Sequence, residues 1–322
     1  MEIKQIATNR LFYDYPSFDL VHEWEDEFIK SLNKFPYFIN KYIENRYIKR
    51  IPFVKYFITP IRNTFIYEMS PITRYNLWNR RNIIPCIIDF YLSTNSLKEF
   101  YRSYNKHKIV FISSKEVLSF LQENQCPLNI SHLPLSISDK YKITPDSYFE
   151  KKYDLVMMGR QNPVLEQFAY KYAETHKDFT FVYRKQEGKQ FFYYTSNNEY
   201  LGDINTRDKY IHLMQQSRCG LYSTPGIDGG EARTNGFNQV TPRFLELIAC
   251  GCHVIARYKE NPDTDFYQLK EFSPSVNTYE DFEKLMDQAR QKNVDMQKYS
   301  NYLSKHYTSK RIKLLQETIK NL

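Results

Sequence analysis

No glycine occurs before Gly159; all nine lie at or beyond it. A glycine-rich phosphate cradle of the Walker or dinucleotide type needs backbone without Cβ at fixed spacing. The first 158 residues cannot supply one, so any nucleotide phosphates must be held by the remainder of the chain. The glycine-free part is still rich in strand signals. IIPCIIDF (83–90) is a nearly continuous apolar run, the pattern of a strand buried on both faces of a parallel sheet. Residues 3–7, 64–67, 108–112 and 130–135 read as further strands. Residues 18–32, 97–104 and 115–124 read as helices, the last capped by Ser113–Ser114.

Residues 138–152 are polar and contain proline, and they read as a linker. A second series then begins: strand YDLVMMGR (153–160), helix 164–174, strand FTFVY (179–183), an excursion over 186–198, a short strand or turn at 200–204, helix 208–217 and strand 219–223. The glycine loop TPGIDGGEARTNGFNQV follows, and then TPRFLELIACGCHVIA (241–256). In this last stretch Thr241 is expected to cap a helix with Pro242 in its first position, and Gly251 to end it before a strand from His253. Arg243, Glu246 and Cys250 share one face. A helix start, an arginine and a glutamate one turn on suit a phosphorylated sugar nucleotide; an Arg243–Glu246 surface pair in an ordinary αβ unit fits equally well. A helix at 279–291 and a long one over about 296–320 complete the chain.

The net charge of +8 and the pI near 9.0 favour anionic partners without naming one. Residues 41–81 hold nine Lys/Arg against two Glu, interleaved with aromatics. They read as a surface for anionic lipid headgroups or a lipid diphosphate, as a nucleic-acid contact, or as cations solvating a face whose tyrosines pack inward. The five cysteines have no zinc spacing and read as buried free thiols of a reducing cytoplasm. The first residues lack a signal-peptide core, and no run of about 18 apolar residues exists. The expected location is the cytoplasm, with peripheral contact on a membrane surface.

The order of these pieces resembles a GT-B glycosyltransferase with a group 1-like donor domain, of bacterial surface-polysaccharide type. YDLVMMGR is similar to the strand and Gly–Arg turn that open the donor domain. CGLYSTP matches its small-residue strand, and RFLELIACGCHVIA its Glu-Ala-x-Ala-x-Gly-x-Pro-Val block. CIIDF, KIVFISSKEV and ISHLPL resemble the tail of an acceptor domain. The resemblance implies an α/β fold of two Rossmann-like parallel-sheet domains facing across a cleft. Residues 1–148 would be the acceptor side, 149–300 the donor domain, and 301–322 a helix returning toward the first domain.

The implied activity is transfer of a sugar from a nucleotide-sugar donor to a glycan or lipid-linked acceptor in capsule, lipopolysaccharide or exopolysaccharide synthesis. No metal or other cofactor is expected, and no nucleic acid. A non-catalytic glycan- or partner-binding subunit and a nucleotide-sugar epimerase are the alternatives. By residue, Glu246 matches the ribose-holding glutamate, and Gly159 and Arg160 the diphosphate turn, with Thr241 and Arg243 facing the same phosphates. Asn238 stands where many retaining members have a second glutamate, which leaves the stereochemical outcome open. Candidate bases for an inverting reaction are Asp89 at a buried strand end, then Glu68, His22 and Asp14. Asp263-Thr264-Asp265 spells D-x-D but fits a helix cap or turn. His253 replaces the proline of the family block and reads as a polar residue at a strand start.

Overall fold

The structure is a computed structural model and describes residues 1–11, 18–39, 62–72, 80–188, 190–229 and 232–322. Asp14 and most of the basic stretch, 41–61 and 73–79, lie outside the described residues.

The chain divides into two compact units. The first comprises Met1–Ser138, Arg233–Phe237 and Thr308–Leu322; the second comprises Asp139–Ala232 and Asn238–Tyr307.

The first unit is built on a six-stranded sheet in the order β2-β1-β3-β4-β5-β6. Its strands are β1 (Gln5–Thr8), β2 (Phe35–Phe38), β3 (Thr64–Glu68), β4 (Ile83–Ile87), β5 (Val110–Ile112) and β6 (Ile130–His132). Every pairing is parallel. β3 and β4 are buried throughout, β4 as its unbroken apolar run requires. Helix α1 (Asp19–Leu32) lies on this sheet through Trp24 and Phe28, and the Phe28 ring stacks on Phe65 at 5.1 Å. Helices α2 (Leu97–Tyr104) and α3 (Lys115–Glu123) share a core with β4 and β5. Ser114 caps α3 by accepting from the Val117 N–H at 3.2 Å. Phe237, far along the chain, closes the same core between Phe90 and Phe120.

The second unit has a six-stranded sheet in the order β10-β9-β8-β7-β11-β12. Here β7 is Tyr153–Val156, β8 Phe181–Glu187, β9 Gln190–Thr195, β10 Tyr200–Asp203, β11 Ser217–Ser223 and β12 His253–Arg257. β8, β7, β11 and β12 run parallel, whereas β8, β9 and β10 form an antiparallel meander. The 186–198 excursion is therefore a hairpin, with Gly188 in the left-handed region at its turn. Helices α4 (Pro163–Thr175), α5 (Arg207–Gln215), α6 (Arg243–Ala249), α7 (Pro262–Phe266), α8 (Leu269–Phe272), α9 (Tyr279–Gln291) and α10 (Met296–Leu303) complete it.

Two expectations are corrected. α6 starts at Arg243 with Pro242 as its cap residue, and Thr241 is outside it. The Tyr222 hydroxyl accepts from the Thr241 N–H at 3.1 Å, which holds Thr241 as the last residue of the loop. The long terminal helix is two helices, α10 and α11 (Thr308–Lys320). α10 buries Tyr299, Tyr302 and Leu303 in the second unit, whereas Thr308 donates its N–H to the Ile137 carbonyl at 3.0 Å in the first. α11 packs on α1, and Arg311 donates Nε to the carbonyls of Pro134 and Leu135 at 3.0 and 3.2 Å.

All five cysteines are free, and four are buried. No helix among the described residues is long and apolar enough to cross a membrane.

Candidate functional site

At the C-terminal edge of the second sheet, the loops after β7 and β11 are tied together by Asp228. Its carboxylate accepts from Arg257 Nε and Nη2 at 2.6 and 2.8 Å and from Asn162 Nδ2 at 2.7 Å. The same Asn162 caps α4 through its Oδ1. Asp228 itself takes φ +55°, a conformation short polar side chains tolerate. A bidentate guanidinium and a cap amide thus fix both loops around one carboxylate.

Beside this tie sits a cluster of guanidinium groups. Gly159 has φ +64°, and a Cβ there would stand 2.2 Å from Arg243 Nη2. Only a bare backbone leaves room for that side chain. Arg243 Nη1 donates to the Arg160 carbonyl at 2.8 Å, while its buried Nε has no hydrogen-bond partner among the described residues. Burial works against the Arg243 charge, but Tyr210, Glu246 and Tyr193 outweigh it and hold the cation. Arg184 lies on Phe191, 4.4 Å from the ring centroid. Burial, with the like charge of Arg243 added, pulls its guanidinium below the usual range. Arg207 Nη2 meets Glu246 Oε1 at 2.5 Å, both side chains nearly buried. Tyr210, whose phenol burial pushes up to about 12, touches this group electrostatically on all sides.

Arg207 and Arg243 therefore flank one glutamate, Arg184 adds a like charge beside Arg243, and Arg160 is exposed at the rim. The arrangement suits an anion with several oxygens, and the orphaned Arg243 Nε is a donor waiting for an acceptor. α6 spans only seven residues, so the arginines rather than the helix end carry this preference.

The other sequence candidates fall as follows. Glu246 pairs with Arg207, not with Arg243 as a surface pair. Thr241 and Arg243 stand at the start of α6, and Gly159 and Arg160 at the turn after β7, all in the second unit. Asn238 is buried, and its Oδ1 accepts from the Thr224 hydroxyl at 3.0 Å. Asp263 accepts from the Val240 N–H at 2.9 Å in the first turn of α7, which Asn261 caps. His253 begins β12, at the opposite sheet edge from Arg257.

In the first unit, Glu68 and Asp89 stand at and just beyond the ends of neighbouring parallel strands, β3 and β4, with the Ile88 N–H donating to the Glu68 carbonyl at 2.8 Å. Glu68 is buried and Asp89 half-buried. His22 lies in the first turns of α1; burial, then Arg10, lowers its pKa to about 4. Arg10 donates to the His22 carbonyl at 2.8 Å and to Asp26 at 2.5 Å.

Sequence reading missed Arg184, Arg207, Tyr193 and Tyr210. Arg184 follows Val182 on one strand face, and Val182 is fully buried, so period-two alternation already placed a cation on a buried face. Arg207 opens α5, where the helix dipole disfavours a positive charge.

Residues 161–317 match the model of a family described as glycosyl transferase-like. No curated protein matches the chain in sequence. Among solved structures it is similar to a trehalose-6-phosphate synthase studied for glycosyl transfer with retention. That match has TM-score 0.53 and 8% identity, covering 97% of this chain and 85% of that one. It is similar to OtsA without ligand, at TM-score 0.50 and 9% identity, covering 81% and 73%. It is similar also to the pneumococcal O-GlcNAc transferase GtfA with UDP and GlcNAc, at TM-score 0.50 and 10% identity, covering 81% of this chain. The chain spans 57% of the length of that transferase. At such identities the likeness is one of fold. Over residues 161–317 the chain is similar to that glycosyl transferase-like family, and its fold is GT-B.

Proposed function

We propose that the protein transfers a sugar from a nucleotide-sugar donor to a glycan or lipid-linked acceptor. The observation that carries this reading is Arg243, laid over the bare backbone of Gly159 with its buried Nε unpartnered and Arg184 beside it. A donor diphosphate supplies the missing acceptor and offsets the like charges. The departing nucleoside diphosphate gains negative charge as the glycosidic bond breaks, and guanidinium groups already in position stabilise it without reorganisation. Arg160 and Thr241 would add donors at the rim, Glu246 would accept from ribose hydroxyls once Arg207 yields to the ligand, and Asn238 would meet the sugar through its amide. With arginines doing the electrostatic work, the reaction needs no metal.

The acceptor hydroxyl needs a base if the reaction inverts. Asp89 is first choice, with Glu68 and His22 after it, because these groups gather toward the strand-end edge of the first sheet or on the helix covering it. The basic stretch 41–81 would hold the protein to anionic lipid on the cytoplasmic face, where lipid-linked intermediates of surface polysaccharides reside. Flotation with anionic liposomes tests that part, and failure to co-float at low salt removes it.

A panel of nucleotide sugars tests the whole. Nucleoside diphosphate released only with acceptor, and unaffected by a chelator, supports transfer. A new free nucleotide sugar signals epimerisation. Donor binding without turnover signals a binding subunit, a reading that the engagement of Asn238 with Thr224 favours. Arg243→Gln should weaken donor binding by about tenfold or more, the loss of one charge-assisted hydrogen-bonding group; unchanged affinity overturns the proposal.

A further inference from the structure

A cavity of about 460 Å³ opens at the far edge of the second sheet, where β11 and β12 begin. β11 is seven residues long, so roughly 20 Å of strand separates this edge from the arginine cluster. The wall is formed by the chain before β7, the starts of β11 and β12, and the turn joining α9 to α10.

Its chemistry is distinctive. Lys151 Nζ is fixed by the carbonyls of Ser217 and Cys250, each at 2.9 Å, so one ammonium is locked in place. Arg218 and Lys292 also line the cavity, and neither side chain makes a hydrogen bond or ion pair with any described residue. The one carboxylate of the wall, Asp295, is already accepting from the Lys298 N–H at 3.0 Å to cap α10. Two aromatic rings stand at the mouth: Phe149, and Tyr148, which is 81% exposed. His253 Nε2 lies 2.8 Å from the Lys292 carbonyl, which assigns the proton to Nε2 and leaves Nδ1 as an acceptor.

We propose that this cavity is a second ligand site, for a sugar ring bearing a phosphate or a carboxylate. Its volume is that of a small-molecule pocket, and its wall sets cationic and polar side chains beside Tyr148, Phe149, Val294 and Met296. Arg218 and Lys292 take the anion, for which Lys151 provides a fixed positive field. The Tyr148 and Phe149 rings offer flat faces to the apolar side of the sugar ring. His253 Nδ1 accepts from a ring hydroxyl. Inorganic phosphate meets only the first of these demands, and a neutral sugar only the last two. The site stands on its own residues and does not depend on the activity proposed for the arginine cluster.

Calorimetric titration of the full chain tests it with four probes: glucose 6-phosphate, glucuronate, glucose and inorganic phosphate. The phosphorylated sugar, the uronate or both should bind saturably, and the two arms identify which anion the site takes. Glucose and phosphate alone should bind at least about tenfold more weakly. Binding should fall by a similar factor in the Arg218→Gln/Lys292→Gln variant and in Tyr148→Ala, whose exposed position leaves folding intact. It should survive in Arg243→Gln, which marks the other edge. Absence of saturable binding by both anionic sugars overturns the proposal. So does binding that Arg243→Gln abolishes and the cavity variants leave unchanged, or phosphate binding as tightly as the sugars.

Discussion

Two arginines, Arg207 and Arg243, open helices, where backbone N–H groups already present partial positive charge. Each placement costs stability unless an anion compensates. Glu246 compensates Arg207 within the protein, whereas Arg243 keeps an unpartnered Nε. These are residues whose local rules are broken at one place, which is where function is expected to sit. Gly159 gives a direct test. Alanine there must adopt φ +64°, at a cost of about 1–2 kcal/mol, and its methyl displaces the Arg243 guanidinium. Gly159→Ala should therefore lose nucleotide affinity far more than it loses melting temperature; a variant that binds like the parent would detach Arg243 from the site. Glu246→Gln should behave differently. It strands the nearly buried Arg207, and breaking such a pair from one side costs about 3–5 kcal/mol. Thermal melting should show that loss before any binding assay is run.

At the scale of elements, α6 and β11 carry the site because they lie unusually close. Gly220, in the middle of β11, would place a Cβ 2.2 Å from Leu247 Cδ2 on α6. Gly220→Ala overfills a buried contact and should destabilise the second unit by roughly 1–3 kcal/mol in chemical denaturation, without touching a charged group. A neutral substitution would show that the helix can lift. Much of this architecture was legible in the residues. The apolar run at 83–90 named a buried parallel strand, residues 64–67 read as another strand, and the glycine distribution named the half that carries the cluster. Less legible was β9, because FFYY lacks polar alternation, and the break at 304–307, because its cause is a tertiary attachment rather than a glycine or proline. Arg184 and Glu25 were hidden for a related reason. A charged residue in a strand or helix pattern reads as solvent-facing until packing shows otherwise.

For the whole molecule, the buried titratable groups set a stability curve with a definite shape. Burial pushes the Glu25 carboxyl up to about 8, against the Thr8 hydroxyl, which donates to it at 2.5 Å, and Arg10. Between the unfolded value near 4.5 and pH 8 the folded chain keeps a proton that the unfolded chain has lost, so stability falls as pH rises. His22 and His132, both lowered to about 4 chiefly by burial, act in the opposite sense below pH 6.5. There the unfolded imidazoles bind protons that the folded ones refuse, and stability rises with pH. The two trends oppose each other up to about 6.5, beyond which these histidines no longer offset the Glu25 decline, at up to about 1.4 kcal/mol per pH unit. Urea midpoints should drop between pH 6.5 and 8, and Glu25→Gln should flatten that limb. A parent protein with no decline would place Glu25 in contact with water.

The return of α11 to the first unit has a consequence for how the chain is made. Residues 1–138 emerge from the ribosome first, yet their unit also needs Phe237 and residues 308–322. The second unit, whose residues all lie between 139 and 307, is available in full while the first still lacks its last helix. Synthesis order and completion order are thus reversed. The earlier-made unit waits, with the α1 face that α11 will cover still open, for residues 308–322. A released chain truncated after residue 307 should accordingly protect its second unit from protease while its first remains cleavable.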